Sequence, residues 1–201
     1  PTAALVFGFA LALASLVEMW IFVNPLAALL AFSGFIGYAL IYTVWLKRST
    51  PQNIVLGGAA GAIPPLVGWA AVTGSLSLAP IYLFAIVFYW TPPHFWALSL
   101  LMKDEYAKVG VPMMPVVRGE EETRRQIVLY TTLLIAVTIL PVFGGLFGAI
   151  YLVPAIILDA IFMVLALSLQ KQATRPAALK LYLYSLGYLA LLFAAMVVDS
   201  K

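Results

Sequence analysis

Apolar residues fall into seven long runs along this chain, and the polar positions lie almost entirely between them. The runs cover residues 3–22, 26–46, 54–73, 80–100, 127–147, 150–169 and 181–198. Each is about 18 to 21 residues long, close to the roughly 20 that an α-helix needs to cross the hydrocarbon of a bilayer. They lack the period-two alternation of a membrane barrel, so helices are the expected form. In the third run Gly57 and Gly61 share a helix face, a spacing that lets backbones approach closely. Pro64-Pro65 predicts a kink in the same run. A second pair, Pro92-Pro93, breaks the fourth run just before His94, the single histidine.

The connections alternate in character. Asn24-Pro25 and the turns at 74–79 and 147–149 carry no Lys or Arg. The other set carries Lys47 and Arg48; Lys103, Lys108, Arg118, Arg124 and Arg125; and Lys171, Arg175 and Lys180. Ten of the eleven basic residues thus share one side, with only Lys201 opposite. By the positive-inside rule that side is cytoplasmic, with the N-terminus inside and the C-terminus outside.

Composition agrees. At 64% apolar and 9% charged, against about 25% charged in soluble domains, the chain is excluded as a single water-soluble core. The net charge of +3 is informative only through its placement. Without cysteine, disulfides, thiol catalysis and thiolate metal sites are excluded. The first run lacks the basic flank of a signal peptide and leads straight into another span. No repeat or soluble domain boundary interrupts the pattern, so one membrane domain is expected over 1–201. The start at Pro1, without Met, reads as an incomplete N-terminus.

Candidate chemistry gathers on the basic side. The connection at about 102–126 is too long to be a mere link. It holds Asp104 and Glu105, flanked by Lys103 and Lys108, with Asp104 and Lys108 on one face if the helix continues. Two carboxylates at a membrane-proximal mouth could hold Mg²⁺ and share it with substrate phosphates; a solvated charged loop is the plainer reading. Glu120-Glu121-Glu122 suits the first turn of a helix. Lys47 and Arg48 offer phosphate contacts or topology anchors, and Asn53 is a donor and acceptor at the entrance of a span. His94 could bond a carbonyl released by the prolines or contact a ligand. Asp159 sits in mid-span, neutral or bonded between helices, and Glu18 toward the outer end of its span. Ten Tyr, twelve Phe and five Trp suit an interfacial belt and core packing. The cluster Phe88, Tyr89, Trp90, Phe95 and Trp96 is denser, and its ring faces could stabilise a developing carbocation.

Three blocks carry a resemblance: YTVWLKRSTPQNIVLGGAAGAIPPLVGW from Tyr42, WTPPHFWAL from Trp90 and KDEYAKVGVPMMPVV from Lys103. In this order and spacing they resemble the protohaem IX farnesyltransferases (haem O synthases), a family of membrane prenyltransferases, over essentially the whole chain. The resemblance implies an all-α bundle of nine membrane helices, of which this chain would hold the last seven, without the first, Asn-Asp-rich loop. It implies transfer of a farnesyl group from farnesyl diphosphate to a vinyl group of haem B with addition of water, giving haem O. Asp104 and Glu105 would hold Mg²⁺. Lys47, Arg48, Asn53, Tyr106 and Lys108 would face diphosphate or haem propionate, and His94 the haem. The family has Asp where this chain has Glu105, which retains the charge with one more methylene. The chain without the first loop would be inactive alone. The implied setting is the bacterial cytoplasmic (inner) membrane with the site facing the cytoplasm. Haem-modifying enzymes or terminal oxidase assembly are candidate partners; nucleic acid is not.

Two alternatives stay open. A related prenyltransferase would act on a quinone or chlorophyll precursor, against which the TPPHFWAL block and His94 argue. A multi-span transporter would use broken helices at 57–65 and 90–94, but the ionisable residues gather on one face and not at the midplane.

Overall fold

The computed structural model describes residues 2–199, whose regular structure is entirely helical; Pro1 and Lys201 lie outside that range. The first run is helix α1 (Thr2–Phe22). The second is α2 (Pro25–Ile36), continued by a π-helix over Gly37–Leu46 and a last turn, α3 (Lys47–Ser49). Asn24 starts α2: its side chain accepts from Ala27 N at 2.9 Å, and Pro25 fits the first turn, where no N–H is needed. The Asn24 amide also donates to Ala70 O at 2.7 Å, tying this turn to the far end of the third run.

That third run is two helices, α4 (Asn53–Gly61) and α5 (Pro64–Thr73), parted at Pro64-Pro65 as the prolines demand. Gly74, at φ +66, ends α5 in the left-handed conformation that glycine adopts without cost. The rest comprises α6 (Leu78–Leu101), α7 (Lys103–Lys108), α8 (Met114–Val117), α9 (Glu120–Phe143), α10 (Ala149–Gln172) and α11 (Arg175–Asp199).

Among the described residues six helical units are long and apolar enough to cross a membrane, three of them on each side of α6 in the chain. The protein is a multi-pass membrane protein. Helix α6 has the length of a span, 24 residues, but carries Thr91, Pro92, Pro93 and His94 among its apolar residues. It stands at the centre, packed on α4, α5, α8, α9 and α11. The break expected at Pro92-Pro93 is absent. The two prolines leave the carbonyls of Phe88 and Tyr89 without their usual N–H partners, and the Thr91 hydroxyl donates to Val87 O at 2.8 Å. Thr91 to His94, Trp96 and Ala97 are all buried, so packing overrides the local preference.

Helix α9 starts at Glu120, before the apolar run at 127, because Glu120 to Glu122 complement the positive end of its dipole. It stops at Phe143, ahead of Gly144 and of Gly145 at φ +71.

The buried core belongs to α6 and α9–α11, with Trp96, Ile127, Leu134, Tyr151, Phe162, Leu181 and Tyr188 closed to solvent. Asp159 is bonded between helices: Thr138 Oγ1 and Tyr188 OH donate to its two oxygens, each at 2.7 Å. Tyr151 OH donates to Thr138 O at 2.8 Å, and Tyr184 OH to Leu158 O at 2.7 Å. Asp199 accepts from the backbone N–H groups of Gly148 and Tyr151, capping α10 from the end of α11. Glu18 is exposed on α1.

Candidate functional site

Small residues on α4 leave a gap that the larger side chains of α6 do not fill. The result is a cavity of about 250 Å³, walled by Ile54, Gly57, Gly58 and Gly61 on α4, Val87, Trp90, Thr91 and Phe95 on α6, and Tyr38 and Tyr42 on the π-helix. π-Helical segments are rare and recur at functional sites. This one carries both tyrosines onto this wall, with their rings 5.4 Å apart. Gly57 permits the approach of Tyr42, because a Cβ there would overlap the Tyr42 ring.

Polar residues directly precede the wall residue Ile54. Asn53 opens α4 and is fully buried; its amide reaches Lys47 O at 3.4 Å, while Oδ1 has no hydrogen-bond partner. Lys47 is half-buried and Arg48 exposed, at the end of the preceding helix. Tyr106 of α7 lies close enough to Tyr42 for the two hydroxyls to interact electrostatically. Helix α7 itself packs on α6 and α8. Burial pushes the Tyr106 phenol above its ordinary pKa, so it stays a neutral donor near pH 7.

Asp104, Glu105 and Lys108 are exposed on α7. The ion pair that the i,i+4 spacing suggests between Asp104 and Lys108 does not form. Lys103 pairs instead with Glu120 at 2.9 Å, holding α7 to the start of α9. Among the described residues Lys47, Arg48, Asp104, Glu105 and Lys108 form no ion pair, and no group of three or more His, Asp or Glu could hold a metal. Two free adjacent carboxylates are too few for a protein cage. They fit Mg²⁺, which takes one or two carboxylates and completes its shell with water and substrate phosphate.

His94 is not among the residues lining the cavity. Its ring is sandwiched between Trp90, at 4.3 Å and 17°, and Tyr182, at 4.9 Å and 26°. Nδ1 lies 2.7 Å from Ser185 Oγ, and that hydroxyl donates to Tyr182 O at 2.6 Å. A hydroxyl has one proton to give, so His94 Nδ1 is the donor and Nε2 is left as an acceptor. Its partner is therefore a side chain of α11 and not a carbonyl freed by the prolines. Trp90, which lines the cavity, also donates from Nε1 to Ser185 O at 2.8 Å.

The structure thus sets Asn53, bonded to Lys47 O, directly before the wall residue Ile54, and His94 behind Trp90; Asp104, Glu105 and Lys108 are not among the residues that line the cavity. Sequence reasoning missed Tyr182, Ser185 and Tyr38. A hydroxyl in mid-span three residues after a tyrosine was the available signal for the first two.

The UbiA prenyltransferase family model matches residues 1–196. A protoheme IX farnesyltransferase of Chloroflexus aurantiacus is 56% identical over 197 residues, covering 98% of this chain and 34% of that protein. One from Thermus thermophilus is 54% identical over 196 residues, covering 98% and 32%. One from Trichodesmium erythraeum is 54% identical over 202 residues, covering 100% and 62%. The chain thus spans between about one third and under two thirds of the curated relatives it matches. A solved structure described as digeranylgeranylglyceryl phosphate synthase in membranes superposes with a TM-score of 0.82, covering 98% of this chain and 68% of that one. At 19% identity it shares the fold.

Proposed function

The chain belongs to the UbiA prenyltransferase family, and from that premise we propose that it transfers a farnesyl group from farnesyl diphosphate to haem B, giving haem O. The observation that carries this reading is an apolar cavity with polar groups next to its wall: the buried Asn53, whose Oδ1 has no partner, bonds to Lys47 O and directly precedes the wall residue Ile54. Relatives at 54–56% identity bear the name protoheme IX farnesyltransferase, and the TPPHFWAL block favours that acceptor over a quinone precursor.

In this reading the bond between farnesyl C1 and the diphosphate oxygen breaks, and C1 joins the terminal carbon of a haem vinyl group. The cation left on the vinyl carbon takes up water, which then loses a proton. Lys47, Arg48 and Lys108 bind the departing diphosphate, with Tyr106 and Asn53 as neutral donors. Asp104 and Glu105 would hold Mg²⁺, whose contribution is to neutralise the leaving group. Trp90, Phe95 and the two tyrosines exclude water and present ring faces to the allylic cation. His94 holds Trp90 in place, and its Nε2 edge is what it can offer to the haem. The polar end faces the cytoplasm of a bacterial inner membrane, since the basic connections lie there.

The test is to supply the complete gene product in membranes with farnesyl diphosphate and haem B and to weigh the product. Haem O with release of diphosphate is expected. Transfer only to a quinone or chlorophyll precursor, or movement of substrate without release of diphosphate, would replace this reading.

A further inference from the structure

Three glycines line the cavity beside α4, and a side chain would meet something different at each. At Gly57 a Cβ would overlap the Tyr42 ring, and at Gly58 it would press on Thr91 Cγ2 at 3.1 Å. At Gly61 an added Cβ meets nothing within 4 Å. Packing inside the protein accounts for the first two. Gly61 is exposed where the cavity opens, so no neighbour requires a glycine there.

Depth gives that space a meaning. Gly61 ends α4, eight residues beyond Asn53, and so lies about 12 Å further along the helix at about 1.5 Å per residue. An extended chain of single bonds of about 1.5 Å advances roughly 1.25 Å per bond. On that scale the main chain of a two-unit isoprenoid reaches about 9 Å and that of a three-unit isoprenoid about 14 Å. The level of Gly61 falls between them. The antiparallel α6 agrees: the Gly58–Thr91 approach sets the register, and Val87, one turn deeper than Thr91, lines the cavity at the level of Gly61. At about 250 Å³ the space is smaller than the roughly 300 Å³ at the low end of drug-sized pockets, and it is apolar. A linear hydrocarbon chain suits it, whereas a macrocycle with two carboxylates does not.

We infer that Gly61 is the chain-length gauge of this enzyme: its missing side chain leaves room for the third isoprene unit of a diphosphate whose head sits at Lys47 and Asn53. The inference rests on the proposed prenyl transfer and adds a residue that selects among its substrates. Gly61→Val narrows the cavity where it opens, and its Cβ strikes no neighbour, so the fold should be unaffected while the longer chain is excluded.

The experiment compares the complete gene product with its Gly61→Ala and Gly61→Val forms, using geranyl and farnesyl diphosphate with haem B. Equilibrium binding of the unreactive thiodiphosphates of the same two chains is measured in parallel. Gly61→Val is expected to lower the farnesyl-to-geranyl preference by about ten-fold or more, in turnover and in binding. Gly61→Ala moves it less in the same direction, and the melting temperature stays unchanged in both. Equal weakening of both chains, or an unchanged ratio, overturns the gauge. Should the parent protein bind both analogues yet transfer neither chain to haem B, the transfer reading fails and the binding ratio still decides the gauge. Binding of neither analogue overturns the gauge as well.

Discussion

Helices α9 to α11 meet through buried tyrosines and a carboxyl group, whereas α4 meets α6 through glycine and leaves a cavity between them. Polar groups differ in the same way. Around Asp159 each hydroxyl has a partner on another helix, and Asp199 is used up in capping α10. Elsewhere polar groups are left over: Asn53 Oδ1 lacks a partner, and Lys47, Arg48, Asp104 and Glu105 form no ion pair among the described residues. An unpaired buried polar atom costs about 1–3 kcal/mol, so it persists most readily where a ligand completes it. The polar groups around Asp159 are thus paired across helices, and that of Asn53 is not. Trp96 Nε1 and Arg124 Nε are buried without partners on the scaffold side, and nothing in the structure explains them.

The contrast can be broken from either half. The larger effect is expected at Gly57→Ala, whose Cβ would overlap the Tyr42 ring. Overpacking of this kind costs about 1–3 kcal/mol. Since Tyr42 is a cavity wall, isoprenoid diphosphate binding should weaken by about ten-fold or more. Adding Tyr42→Ala should relieve the clash and recover stability. A double variant no more stable than Gly57→Ala would show that the overlap is not the cause.

A smaller effect is expected at Asp159→Ala, which strips the partner from Tyr188 and Thr138 together. Interhelical hydrogen bonds in membranes average about 0.6 kcal/mol with a maximum near 1.7, so a loss of about 1–2 kcal/mol should appear in thermal unfolding. The preference between farnesyl and geranyl chains should not move. A changed preference with unchanged stability would place Asp159 in the site and dissolve the distinction between the halves.

Much of this was legible in the sequence because length and apolarity constrain membrane helices so strongly. The seven runs, the kink at Pro64-Pro65 and the polar character of the 103–108 block follow from local composition. Pro92-Pro93 misled because burial of Thr91 to His94, Trp96 and Ala97 outweighs the local cost of two missing N–H groups. The surroundings of His94 were beyond reach for a different reason. Ser185 lies 91 residues away, and no local pattern couples them. Gly57 and Gly61 were legible as a small-residue face, yet only the structure separates the glycine that admits Tyr42 from the one that borders empty space. The π-helix over Gly37–Leu46 left no mark in the apolar pattern, since every residue it contains is compatible with an ordinary helix.

In the proposed reaction the free carboxylates of α7 act on the diphosphate. Haem O formation by the complete gene product carrying Asp104→Ala or Glu105→Ala tests this most directly, with farnesyl diphosphate saturating and protein levels matched. Each substitution should lower turnover by about a hundred-fold or more, the scale on which removal of one preorganised charge-stabilising group acts. Unchanged turnover in both variants would remove these carboxylates from the reaction.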